Sequence, residues 1–214
     1  MATYEVWLSV LRDVFIIIGL LLSFWRIYVM RDTFFSDHDR SRRTKAVDLI
    51  QFWSGKLTKK SSLARKLVES FSEEQCKSLV AEKSFDVDTT NISVLNQYFD
   101  VTTFNPTNRT LTEGQSSVLR WEIINYLNNL EAVFVAWRHN VADKEIIEQE
   151  FSYLYNAKEN HSAVERFRTA AGTDSFMGVD EFIKKLKAND EEKRKEKKGK
   201  GLLGFRKFRM LCLV

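Results

Sequence analysis

The chain has 214 residues, 44% hydrophobic and 29% charged, with one proline, eight glycines and two cysteines. That suffices for one folded domain and is too little for two large ones. The scarcity of Pro and Gly favours long helices over turn-rich β structure, and Cys76 and Cys212 have no spacing suited to a metal site or disulfide framework. The net charge of +4 is uneven, because residues 184–209 hold twelve Lys/Arg against four Asp/Glu and leave the rest of the chain at −4. A general nucleic-acid-binding domain is therefore not implied.

The first element is an apolar run over residues 14–25, VFIIIGLLLSFW, without a charge. Its Val14, Phe15, Ile16, Ile17, Ile18, Leu20, Leu21, Leu22, Phe24 and Trp25 read as a membrane anchor. As helix the run covers only about 18 Å; adding residues 27–30 beyond Arg26 brings it to about 26 Å, close to the ~30 Å hydrocarbon thickness if Arg26 snorkels to the headgroups. Trp7, Trp25 and Tyr28 are residue types that settle at interfaces. A cleaved signal peptide is disfavoured, since MATYEVWLSV carries no Lys or Arg and no A-x-A-type site follows the run. Arg12 lies on one side against Arg26, Arg31, Arg40, Arg42, Arg43 and Lys45 on the other, which places the N-terminus outside and the remainder in the cytoplasm.

Helical spacing resumes over 37–54, with Ala46, Leu49, Ile50 and Trp53 on one face, either continuing the anchor or following a break near Phe34 to Asp37. Gly55 ends it. Leu63, Leu67 and Phe71 mark a short helix, and Ser72-Glu73-Glu74-Gln75 is a capping box for another through about Lys83. Residues 84–117 turn to Asp, Thr, Asn and Ser around Pro106 and read as one long irregular loop, with 87–94 or 99–104 as candidate short strands and the surroundings of Tyr98 as an alternative helical turn.

Thr112-Glu113-Gly114-Gln115 again has capping-box form, and Leu119, Ile123, Tyr126, Leu127, Leu130, Phe134 and Trp137 form a continuous stripe. With Asn140 as the C′ residue, a second long helix from Asp143 through Ile146, Ile147, Phe151, Leu154 and Tyr155 makes a central antiparallel hairpin with the first. His161 to Ala171 continues helically until Gly172, and Asp180 opens a last helix through Phe182, Ile183 and Leu186. That helix runs into KANDEEKRKEKKGKG, a solvated helix or disordered stretch. The final residues 202–214 mix Phe205 and Phe208 with Arg206, Lys207 and Arg209, a basic amphipathic segment suited to anionic lipid or, alternatively, to a polyanion or protein partner.

Chemistry-bearing motifs are sparse. The histidines His38, His139 and His161 lie in separate segments without metal-binding spacing, and no phosphate-cradling loop or serine nucleophile elbow occurs. No cofactor or metal is implied, and an enzyme is the less favoured class. Asn128 and Glu131 lie one turn apart beside Trp137; a partly buried Asn and Glu need partners, which Arg120, Arg138 or Arg43 would supply as a packing or interaction motif.

The run R-x-K-A-x-x-L-x-x-F-W from Arg43 to Trp53, the segment Y-L-N-N-L-E-A-V from Tyr126 to Val133, and the N-terminal apolar helix together resemble an uncharacterised bacterial and phage domain family. That resemblance implies one membrane helix before a small helical domain in the bacterial inner membrane, with no catalytic residues to transfer. The combined expectation is an all-α protein: an anchor with its flanks over 1–35, a cytoplasmic helical domain over 36–188 and a basic tail over 189–214. Its expected partners are membrane lipid and a protein, either another molecule or a second copy, in a sensor, scaffold or effector role. Alternatives are a nucleic-acid-binding effector using the tail, a membrane-permeabilising effector, and an enzyme of unrecognised type.

Overall fold

The computed structural model describes residues 2–156, 161–172 and 174–211, with side-chain surroundings for Trp7 and residues 15–155, 162–172 and 174–195. The fold is all-α. Eight α-helices among the described residues run in the order α1 (Ala2–Lys56), α2 (Lys59–Ser70), α3 (Glu73–Val80), α4 (Ile92–Phe99), α5 (Glu113–Arg138), α6 (Lys144–Glu150), α7 (Glu165–Ala171) and α8 (Met177–Leu211). There are two short antiparallel ribbons among the described residues: β1 (Phe85–Asp86) with β2 (Thr110–Leu111), distant in sequence, and β3 (Tyr155–Asn156) with β4 (His161–Ser162), close in sequence.

Helix starts follow local chemistry. Thr58, Ser72 and Thr112 are N-caps in full capping boxes that open α2, α3 and α5, each hydroxyl satisfying an amide the first turn leaves orphaned. Asp143 caps α6 by accepting from the amides of Glu145 and Ile146. After α5, Asn140 takes the left-handed conformation, φ 56°, and Gly172 at φ 111° closes α7, where a side chain would be strained.

The core is organised on α5, which packs against α1, α2, α3 and α8. Its inward stripe, from Leu119 through Phe134 to Trp137, is buried throughout. Phe134 stacks on Phe182 of α8 at 4.0 Å and meets Phe151 edge-on at 5.4 Å, while Trp53 of α1 meets Tyr126 edge-on at 5.2 Å. Such pairs add about 0.5–1.5 kcal/mol each beyond the apolar area they remove from water.

Of the two readings of 34–37, the continuous one holds, and three other sequence expectations need correction. One helix of 55 residues passes through 34–37 without a break, and among its described side chains the first buried one is Ala46. The central hairpin of two long helices is absent, because α6 has only seven residues and Phe151–Leu154 tightens into a 3₁₀ turn. Phe151 and Leu154 are three apart, a spacing that buries both in either helix type, so periodicity could not distinguish them. It is α8 that lies along α5 instead.

Helix does not run from His161 either. His161 and Ser162 pair with Asn156 and Tyr155, and α7 begins only at Glu165. Residues 84–117 are likewise not one irregular loop, since α4 occupies Ile92–Phe99 and α5 starts at Glu113. The Asn96 side chain both donates to the Phe104 carbonyl and accepts from its amide, at 3.0 and 3.1 Å, clamping the connection that follows α4.

Candidate functional site

The most unusual surface is the N-terminal half of α1. From Phe15 to Phe35 every large apolar side chain is exposed, from 70% at Phe15 and Trp25 down to 46% at Ile18 and Val29. They point in all directions around the helix, whereas a helix lying on a protein core hides one stripe. No such buried stripe runs along residues 15–35. Within it the Ser23 hydroxyl donates to the Gly19 carbonyl at 2.8 Å, so its polar hydrogen is satisfied inside the helix. Beyond the run, Arg31 lies over the Tyr28 ring at 5.4 Å.

Among the described residues no helix is long and apolar enough to cross a membrane. The eighteen-residue stretch 15–32 includes Arg26, Arg31 and Asp32, and these lower its apolar character. The side chain of Val14 lies outside the described residues. So do those of Phe205, Arg206, Lys207, Phe208 and Arg209, although the α8 backbone extends through them to Leu211.

At its other end α1 is fixed to the domain. The Asp143 amide donates to the Arg42 carbonyl at 3.1 Å, and the Asp143 carboxylate faces Arg43 at 3.6 Å. One aspartate thus caps α6 and ties it to α1, while Trp53 enters the aromatic core a further three turns along.

The Asn128, Glu131 and Trp137 group separates by face. Asn128 is exposed. Glu131 is part-buried and accepts from the amides of Gly178 and Val179 at 2.8 and 3.0 Å; it caps the start of α8, where a carboxylate also meets the positive end of the helix dipole. A Cβ on Gly178 would lie 3.0 Å from the Glu131 carboxylate, so this close approach depends on glycine. Trp137 is buried, donates from its indole nitrogen to Glu148 at 3.1 Å and carries Lys144 over its ring at 5.2 Å.

The arginines expected to serve Glu131 are engaged elsewhere: Arg120 with Glu82 at 2.7 Å, Arg138 with Glu181 at 3.1 Å, and Arg43 with Asp143. Glu131 therefore fixes the packing of α8 on α5, while Asn128 faces away from that contact.

Sequence reasoning passed over Arg168, which is only 4% exposed. Its guanidinium donates to the Ser162 carbonyl and Asp180 carboxylate, each at 2.9 Å, and to the Ala163 carbonyl. Ala163 and Val164 both have positive φ, 42° and 53°, costly for a β-branched residue, and Arg168 holds the carbonyls at that turn. The available signal was spacing, since Val164, Arg168 and Ala171 share a helix face.

Two potentially reactive groups among the described residues are withdrawn from solvent. Cys76 is buried, and burial pushes its thiol up to about 11, so it is protonated at neutral pH. Burial likewise raises the Tyr126 hydroxyl far above its ordinary range. Among the described residues no group of His, Cys, Asp and Glu side chains could hold a metal ion. His38 is stacked on Phe34 at 6.4 Å, and His139 ends α5. Comparison with protein-family models, curated proteins and solved structures finds no match to this chain.

Proposed function

We propose that this protein is a single-pass membrane-anchored helical module, whose domain acts by binding another protein on the cytoplasmic side of a bacterial inner membrane. The observation that supports it is the all-round exposure of the apolar side chains from Phe15 to Met30 on a helix that only later enters the domain. An apolar surface of this length, left in water, is strongly unfavourable at about 25 cal/mol per Å². A bilayer covers a helix from every side; a partner protein covers one face.

Extending the stretch by one residue to Val14 gives eighteen residues, 14–31, whose only charges are Arg26 and Arg31 near one end. Both arginines can snorkel to the same headgroup layer. The excess of basic residues on the domain side of the run supports a cytoplasmic domain. The resemblance of the Arg43–Trp53 and Tyr126–Val133 segments to an uncharacterised membrane-helix family agrees with this reading and assigns no residue a role.

The test is fractionation of the full-length protein beside a Leu21→Arg variant. The full-length protein should stay with membranes through high-salt and alkaline washes, and the variant should be displaced, since an arginine at the centre of a span costs about 2.5–3.5 kcal/mol. Wild-type protein recovered in the soluble fraction would rule the reading out.

A further inference from the structure

Beyond its first turn, the only exposed residues of α5 are Val118, Trp121, Asn125, Asn128, Ala132 and Val135. Three features make this stripe unlike an ordinary solvent face. Its spacing is three, four, three, four, three, the seam that lets one helix pack along another. It carries no charge, although the outward face of a central helix normally does. Trp121 is 69% exposed, with Val118 at 47% and Val135 at 40%, and an exposed Trp on a charge-poor strip is the typical composition of an interface centre.

The order of residues along the stripe identifies what fits it. Reversing the stripe about its midpoint, between Asn125 and Asn128, sets Val118 opposite Val135, Trp121 opposite Ala132 and Asn125 opposite Asn128. Each layer is then complementary: two branched side chains, a large ring over a small residue, and two amides able to donate to and accept from each other. A parallel copy in register would instead set Trp121 against Trp121 and Ala132 against Ala132, overfilling one layer and leaving a void in the next.

We infer that α5 is the docking surface for a second copy of this chain, packed antiparallel about a two-fold axis passing between Asn125 and Asn128. The opposed amides fix the register, since sliding either helix by one layer would place an Asn against an apolar residue. At the edge, Leu57 of the α1–α2 turn, 38% exposed, lines a cavity of about 320 Å³ with Asn125, and Lys56, Lys60 and Glu122 on the same cavity give the strip a charged rim. This inference rests on reading the domain as a protein-binding module and is independent of the bilayer.

The test uses the full chain purified in mild detergent, with its mass measured by light scattering corrected for detergent. The expected protein mass is twice the 25.1 kDa of one chain. Trp121→Glu should return it to a single chain, with the dissociation constant rising about thirty-fold or more and circular dichroism unchanged; Ala132→Glu, across the same layer, should do likewise. In a Cys212→Ser background, oxidising Asn125→Cys and Asn128→Cys chains together should yield the mixed disulfide, and neither variant alone should link comparably.

A single-chain mass throughout the micromolar range would overturn the inference, as would a dimer that survives both glutamate variants or disulfides formed preferentially between like variants. Fractionation separates the two readings: a Trp121→Glu protein that is monomeric yet membrane-bound supports both, whereas a soluble wild-type dimer removes the bilayer and leaves this interface.

Discussion

The aromatic residues of the N-terminal half of α1 and Trp53 near its other end share one helix and have opposite surroundings, while Phe52 beside Trp53 turns outward at 42% exposed. Phe15, Phe24, Trp25, Phe34 and Phe35 are all at least 57% exposed, whereas Trp53, in the last turns, is 5% exposed and sits between Tyr126 and Phe151. Residue type does not separate them. What differs is whether this chain supplies the cover: α5 and the Phe151–Leu154 turn close over Trp53, whereas the described large apolar side chains of the N-terminal half are all exposed. The contrast teaches that apolar content marks where cover is needed without saying whether protein or lipid provides it.

Substitutions at matched aromatics give the largest test of that contrast. Phe134→Ala, which removes the ring stacked on Phe182, should destabilise the domain by about 3–5 kcal/mol in denaturant unfolding. Phe24→Ala should leave that unfolding midpoint unchanged and weaken membrane retention instead. A loss of domain stability at Phe24 would show that the N-terminal half of α1 has a protein neighbour, and the comparison would collapse.

Next in size is Arg168. Replacing it with Leu strands the Ser162 and Ala163 carbonyls and the Asp180 carboxylate, an expected loss of about 3 kcal/mol in thermal or denaturant melts. Arg168→Lys should recover only part, because an ammonium cannot reproduce the forked geometry. Glu131→Ala, removing the cap of α8, should cost about 1 kcal/mol by the same measurement. Neither variant should alter membrane association, since both act inside the domain.

The smallest effect is expected at the Glu165–Lys187 pair, 3.0 Å apart between α7 and α8. Burial works to raise the Glu165 carboxyl, but hydrogen bonds from Lys187 and Ser162 and the charges of Lys187 and Arg168 together outweigh it and hold the group below its ordinary value. Its stabilisation is therefore full at neutral pH and is lost as pH falls through the lowered folded-state value. Lys187→Met should remove that part of the acid dependence and cost about 0.2–1 kcal/mol at neutral pH. An unchanged acid limb in the pH-dependent melts would count against the pair.

The locally encoded features were the legible ones. The capping boxes at Ser72 and Thr112, the left-handed residue at Asn140 and the Gly172 stop are each decided within a few residues, and the apolar stripe of α5 needs only its own periodicity. The partners of Glu131 were not legible, because Gly178 and Val179 come from 47 and 48 residues further along. α4 escaped for a related reason: its eight residues are held by the Asn96–Phe104 clamp and a neighbouring helix, α2, neither of which composition reveals. The short α6 escaped because Phe151 and Leu154 satisfy two helix types at once.

The unbroken passage of α1 into the core makes it a shaft. Successive residues of an α-helix turn by about 100° and advance about 1.5 Å, so the fifteen exposed or half-exposed residues 31–45 fix both the phase and the height of the domain relative to the apolar half. One residue inserted there would swing Trp53 and everything packed on it by about 100° around the shaft, while raising the domain by only about 1.5 Å. Whatever turns the N-terminal half about its axis turns the domain with it, and the facing of α5 is set from the far end of the helix.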